Sequence, residues 1–237
     1  MKYLNFANSA TNSSRPECVI TLIDLSGSMN DSDWKPTRKA GAIMANIELI
    51  RTKARLDSQD SVGIIGFHRK AILLHQPVCL SHGAASLIRS LKNPSDGGST
   101  NFTAALELAQ EILFNSNKKS SQGLFSRLLS EILYETESHP AKTVRESQNG
   151  AVKRIIMLTD GEHNQGGSPI TVASRLKNAG VIIDCIGIGG SPKDVDEKLL
   201  KKIASRNPDG SIRYCFIGDQ QQLLRKYENL ARHIRAI

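Results

Sequence analysis

Two runs in this chain are apolar almost throughout and each stops at an aspartate. Cys18-Val19-Ile20-Thr21-Leu22-Ile23 leads into Asp24, and Ile155-Ile156-Met157-Leu158 leads into Thr159-Asp160. A strand with one face in water alternates apolar and polar residues, whereas a strand covered on both faces does not. These runs therefore call for a sheet with helices on both sides, and the stretches between them carry the helical periodicity that such layers need.

After Asn30-Asp31-Ser32-Asp33, which offers several N-cap candidates, Ala40, Ile43, Met44, Ile47, Ile50 and Ala54 recur at helical spacing and predict a helix to about Arg55. Ser61 to Phe67 and Ala71 to Leu74 are separated only by His68-Arg69-Lys70, too short a gap for a parallel crossover, so they read as an antiparallel hairpin. A short helix over 84–92, a loop over 94–101 and a helix carrying Phe102, Ala105, Leu106, Ala109, Ile112 and Leu113 follow. Ser168-Pro169 opens another helix that Gly180 closes. The remaining elements are a strand over 181–186, a helix over 195–205, a strand over 213–217 and a C-terminal helix over 219–235. The expected fold is α/β: a doubly wound, Rossmann-like, mostly parallel six-stranded sheet with one antiparallel edge strand and helices on both faces.

Residues 1–16 are polar and read as a flexible N-terminal arm, leaving 17–237 as one domain. The segment 115–150 is far longer than the few residues that usually join elements of such folds, and is expected to be an insertion. Within it, Leu124, Phe125, Leu128, Leu129, Ile132 and Leu133 make one amphipathic helix, and 135–149 reads as mobile. A helix on the common core is favoured over a lid or partner-binding element.

Composition narrows the function classes. At 237 residues and 39% hydrophobic content the chain can bury a core. Thirty-one Lys and Arg against 23 Asp and Glu leave a basic but mixed surface of charge +8. No segment has the length of apolar chain that a membrane span needs, and the N-terminus lacks the apolar block of a signal peptide, so a cytoplasmic protein is expected. Cys18, Cys79, Cys185 and Cys215 show neither CxxC nor zinc-ligand spacing and read as reduced fillers. Gly187-Ile188-Gly189-Gly190 lacks the spacing of a dinucleotide loop and is assigned to a turn after a strand.

The chemistry concentrates at the strand ends. In Asp24-Leu25-Ser26-Gly27-Ser28, an extended chain would point one carboxylate and two hydroxyls the same way. Thr100, in a Gly-rich loop before a helix, and Asp160 add two more oxygen donors. Hard oxygen ligands suit Mg²⁺ or Mn²⁺, and open parallel sheets bind ligands outside the carboxyl ends of their strands. Taken alone, Asp-x-Ser-x-Ser is also what a turn or helix cap favours.

Together these residues resemble the von Willebrand factor A domain with its metal-ion-dependent adhesion site, whose motif is Asp-x-Ser-x-Ser followed by a Thr and an Asp. The resemblance extends to Gly97-Gly98-Ser99-Thr100-Asn101-Phe102-Thr103-Ala104-Ala105-Leu106, to Leu158-Thr159-Asp160-Gly161-Glu162, and to Ile186-Gly187-Ile188-Gly189 followed by Val195-Asp196. It implies that Asp24, Ser26 and Ser28 lie closest to a metal, that Thr100 joins directly in some states, and that Asp160 acts through water. The function it implies is a binding module that uses Mg²⁺ or Mn²⁺ to recognise an Asp or Glu side chain of a protein partner, rather than an enzyme. It also suggests an intracellular multiprotein or AAA+ ATPase-associated setting, and the compact single-domain layout suggests a bacterial one. In relatives of the fold, movement of the last helix is coupled to the metal loops. The alternatives are a metal-dependent phosphohydrolase using Asp24 and Asp160, and a scaffold binding through 115–150 without metal.

Three further features are read conservatively. His163 borders the crevice but is expected to be an idle loop histidine. Trp34 is placed either at a partner-facing rim or in packing at the helix start. Lys193, Lys198, Lys201, Lys202 and Arg206 form a basic region without interleaved aromatics, so a solvated face is preferred to nucleic-acid binding.

Overall fold

A computed structural model describes residues 15–114 and 150–232. The expected arm up to residue 14 and the expected helix and mobile stretch within 115–149 lie outside the described residues.

Six strands form one sheet: β1 (Glu17–Asp24), β2 (Ser61–Phe67), β3 (Ala71–Cys79), β4 (Val152–Thr159), β5 (Ile182–Ile188) and β6 (Tyr214–Ile217). Their order is β3-β2-β1-β4-β5-β6, with every neighbouring pair parallel except β2 and β3. The helices are α1 (Arg38–Leu56), α2 (Leu80–Ser90), α3 (Phe102–Phe114), α4 (Pro169–Asn178), α5 (Glu197–Ile203) and α6 (Gln220–Arg232).

The uniform apolarity of β1 has the expected cause. Cys18, Ile20 and Leu22 face a core shared with α3, α4 and α5, while Val19 and Ile23 face one shared with α1, α2 and α6. In β4, Ile155 and Met157 divide from Ile156 and Leu158 in the same way. Each central strand thus spends its side chains on two cores, and the strand order reverses between β1 and β4, the switch point of a doubly wound sheet.

Local boundaries differ from expectation where a single residue misleads. β3 runs on through Pro77 to Cys79, because an edge strand tolerates a proline that cannot donate to a neighbour, and α2 follows without a loop. The N-cap of α1 is Thr37, whose side chain accepts from the Ala40 amide, rather than any residue of 30–33. The face of α1 is also rotated from the one expected. Gly41, Ala42, Ala45 and Leu49 are buried, whereas Met44 is exposed. Small residues on this face let α6 lie close: a Cβ on Gly41 would already stand 3.2 Å from the Trp34 ring and 4.0 Å from Gln220.

At the opposite end of β1 sits a buried ionic group. Lys53 Nζ donates to Asp60 at 2.5 Å and to Glu17 at 3.2 Å, and the Glu17 amide donates to the second Asp60 oxygen at 2.8 Å. One ammonium thus serves two carboxylates away from water. Desolvation raises Glu17 to about 7, against the pull of Lys53 and Arg154 and with the help of Asp60's negative charge.

Candidate metal centre

Asp24 is the last residue of β1, and the pairing of Ile23 with Leu158 sets it beside Thr159. Its two oxygens are both engaged: Oδ1 accepts the Ser26 amide at 2.8 Å and Oδ2 accepts the Thr159 hydroxyl at 2.5 Å. Beyond it the chain stays extended only as far as Ser26. Gly27–Asn30 then winds into a 3₁₀ turn, closed by the Met29 amide on the Ser26 carbonyl at 3.1 Å. The extended geometry expected for the whole triplet is thereby corrected. The tight turn still brings the two hydroxyls together, with Ser26 Oγ and Ser28 Oγ 3.2 Å apart.

Two loops complete the cluster. The Gly-rich loop lies against the first through the Gly97 amide on the Leu25 carbonyl at 3.0 Å. The approach requires glycine, since a Cβ on Gly97 would stand 2.2 Å from the His68 ring. Thr100 is fixed by a reciprocal pair with Asn164: its amide donates to Asn164 Oδ1 at 2.9 Å and its carbonyl accepts the Asn164 amide at 3.1 Å. Asp160 follows β4 and receives the Ser28 hydroxyl on Oδ1 at 2.9 Å and Arg38 Nη1 on Oδ2 at 2.9 Å.

Gly161 reports how Thr100 stands to Asp24. A Cβ there would lie 3.4 Å from Thr100 Oγ1 and 4.0 Å from Asp24 Oδ2, so the missing side chain leaves a small cradle lined by these oxygens. All five expected residues therefore converge at the end of the sheet, with Asp24, Ser26, Thr100 and Asp160 buried and Ser28 half-buried.

Burial pushes Asp24 up to about 7, with the negative charge of Asp160 adding to it and hydrogen bonds from Thr159 and Ser26 opposing. Asp160 is raised for the same first reason, against the hydrogen bonds of Arg38 and Ser28. Two carboxylates whose ionised forms are disfavoured by burial, one of them further by the other's charge, form a place where a cation is favourable. Among the described residues no group of three or more His, Cys, Asp or Glu side chains is disposed to hold a metal, so a cation here would draw on hydroxyls. Two carboxylates, three hydroxyls and an open cradle fit a hard divalent cation that keeps part of its water shell.

The sequence reading missed the supports of this cluster: Thr159 on Asp24, Asn164 on Thr100, and Arg38 on Asp160. His163 is not idle. Its Nδ1 accepts the Phe102 amide at 3.2 Å at the start of α3, its Nε2 donates to the Gly167 carbonyl at 2.9 Å, and its ring stacks on Phe102. Trp34 is buried and donates to the Gly189 carbonyl at 3.3 Å, so it packs rather than standing at a rim. Gly187 and Ile188 belong to the end of β5, and only Gly189 and Gly190 form the turn. Lys201 and Lys202 stand at the far end of the sheet, where Lys177 donates to the Lys202 and Ala204 carbonyls at the end of α5. The four cysteines are free thiols, and no described helix is long and apolar enough to cross a membrane.

The family model for the von Willebrand factor type A domain matches residues 19–226. Among solved structures, the von Willebrand factor type A protein from Catenulispora acidiphila is 18% identical with a TM-score of 0.64, over 91% of this chain and 42% of that one. Proximal thread matrix protein 1 from the mussel byssus, with a zinc-occupied MIDAS motif, is 17% identical with a TM-score of 0.61, over 92% of this chain and 48% of that one. The chain thus spans less than half the length of these two proteins. The SpRpn10 VWA domain is 18% identical with a TM-score of 0.60, over 91% of this chain and 95% of that one. At these identities the solved structures speak for the fold, and the family match covers most of the sequence. The chain belongs to the von Willebrand factor type A domain family.

Proposed function

We propose that this domain is a protein-binding module that recognises an acidic side chain through a divalent cation, Mg²⁺ or Mn²⁺, held by Asp24, Ser26, Ser28, Thr100 and Asp160. The observation that carries this reading is the convergence of hydroxyls from two separate loops on two buried carboxylates at the switch point of the sheet. When bound, a hard divalent cation supplies an electrophilic position that a partner's Asp or Glu can fill. Hydroxyl donors add no negative charge, so the chain's own residues leave that position attractive to an anion. The zinc-occupied motif of the byssus protein supports metal binding at this place in the fold. An intracellular, bacterial or AAA+ ATPase-associated assembly is the setting we infer for the partner.

The phosphohydrolase alternative needs a group free to activate water. Both oxygens of Asp24 and both of Asp160 already accept hydrogen bonds from the protein, which favours holding over proton transfer.

Affinity purification from the native host tests the proposal. A partner retained in Mg²⁺ and lost both in chelator and with Asp24→Ala is the expected result. A partner that survives both treatments would transfer the binding to another surface, and turnover of a phosphoester that depends on Asp24 would establish an enzyme.

A further inference from the structure

Arg38 opens α1 with its guanidinium among four aspartates drawn from three loops. Nε and Nη2 grip Asp33 at 2.9 and 2.5 Å, Nη1 donates to Asp160 at 2.9 Å, and Asp194 and Asp31 stand 3.5 and 3.9 Å away. The partners are not equivalent. The side chains of Asp31, Asp33 and Asp194 are 59%, 33% and 33% exposed, whereas those of Arg38 and Asp160 are 8% and 0% exposed. Asp33 takes the larger share of the hydrogen bonds, but water screens the three exposed pairs more than the Arg38–Asp160 pair, so the guanidinium's charge reaches Asp160 with the least dilution. The planar fork grips Asp33 on one edge and leaves Nη1 aimed at Asp160.

We propose that Arg38 is a resident counter-cation of the metal centre: it offsets the charge of Asp160, leaving Asp24 as the carboxylate whose charge a metal meets in full. This rests on the metal-binding reading above. It assigns Arg38 a role in tuning, since a bound divalent ion surrounded by less protein negative charge is held more weakly but retains more attraction for an acidic partner.

The test is titration of the whole domain with Mn²⁺ alone, by calorimetry and by the electron paramagnetic resonance of free Mn²⁺. Arg38→Gln keeps a donor for Asp160 but removes the charge, and should tighten Mn²⁺ binding by about tenfold or more. Adding Asp160→Asn to Arg38→Gln should abolish the tightening, because the uncompensated charge is then gone. Arg38→Lys keeps the charge without the fork and should stay within about threefold of wild type. Unchanged or weaker binding in Arg38→Gln overturns the proposal, as does a loss of about tenfold in Arg38→Lys, which would make Arg38 a geometric clamp. If circular dichroism shows that Arg38→Gln does not fold, the lysine variant decides alone. Wild-type protein that takes up no Mn²⁺ overturns the metal reading itself; wild-type binding that Arg38→Gln leaves unchanged overturns only the role of Arg38.

Discussion

Ser28 donates its hydroxyl to Asp160 at 2.9 Å across a sequence separation of 132 residues. The contact joins the turn after β1 to the loop after β4, the two strands that flank the reversal of strand order. Ser28→Ala should lower divalent-metal affinity about tenfold through loss of one donor and of the hold on Asp160, while changing folding stability by only about 1 kcal/mol because the residue is half-buried. Calorimetry with Mn²⁺ and urea unfolding check the two halves.

Gly161 offers a second, independent probe. Its Cβ would make ordinary contacts with Thr100 Oγ1 and Asp24 Oδ2, so Gly161→Ala should fold with stability within about 1 kcal/mol of wild type. The added methyl occupies the oxygen-lined cradle, and Mn²⁺ affinity should fall by about tenfold or more, a figure that assumes about 1.4 kcal/mol or more lost to crowding. Equal loss of stability and binding would instead mean that the loop is disturbed.

Metal binding should depend on pH through Asp24, which holds its proton up to about 7 in the metal-free fold. The ionised form is the ligand, so affinity should be nearly constant above that pH and decline below it, approaching about tenfold per pH unit. Titrations at pH 6 and pH 8, conditions of about one unit either side, give the comparison. Tighter binding at the lower pH would reverse the sign and remove Asp24 from the ligand set.

The fold itself should carry a pH signature from Glu17, raised from 4.5 to about 7. Between these values the folded state binds a proton that the unfolded chain has released. The stabilising contribution is therefore complete below about 4.5 and lost as pH rises through about 7, with a slope of at most about 1.4 kcal/mol per unit. Asp24 titrates in the same direction, so the measurement is the difference between wild type and Glu17→Gln in urea unfolding across that window. The variant should show the shallower loss.

Much of this was legible in the chain. The doubly buried strands declared a layered parallel sheet because covering both faces removes every polar position but the ends, and the polar ends then stood out as Asp24 and Asp160. Strand neighbours could be inferred only conditionally, and the pairing of β1 with β4 supplied what spacing could not. The α1 face was misread because its buried side is made of Gly41, Ala42 and Ala45, which contribute little to an apolar periodicity yet allow α6 to approach. The misplaced N-cap has a related cause: Asp33 looks like a cap but is taken by Arg38. Arg38, Thr159 and Asn164 escaped notice since each acts through a partner distant in sequence, and a basic or polar residue near a helix end carries no periodic signal.

The central claim is that Asp24 and the surrounding hydroxyls bind a divalent cation. Titration of Mg²⁺ into wild-type protein and into Asp24→Ala, with circular dichroism of both, tests it most directly. The account predicts saturable binding in the wild type that disappears in the variant while the far-ultraviolet spectrum is preserved. The same binding isotherm in both proteins would contradict it.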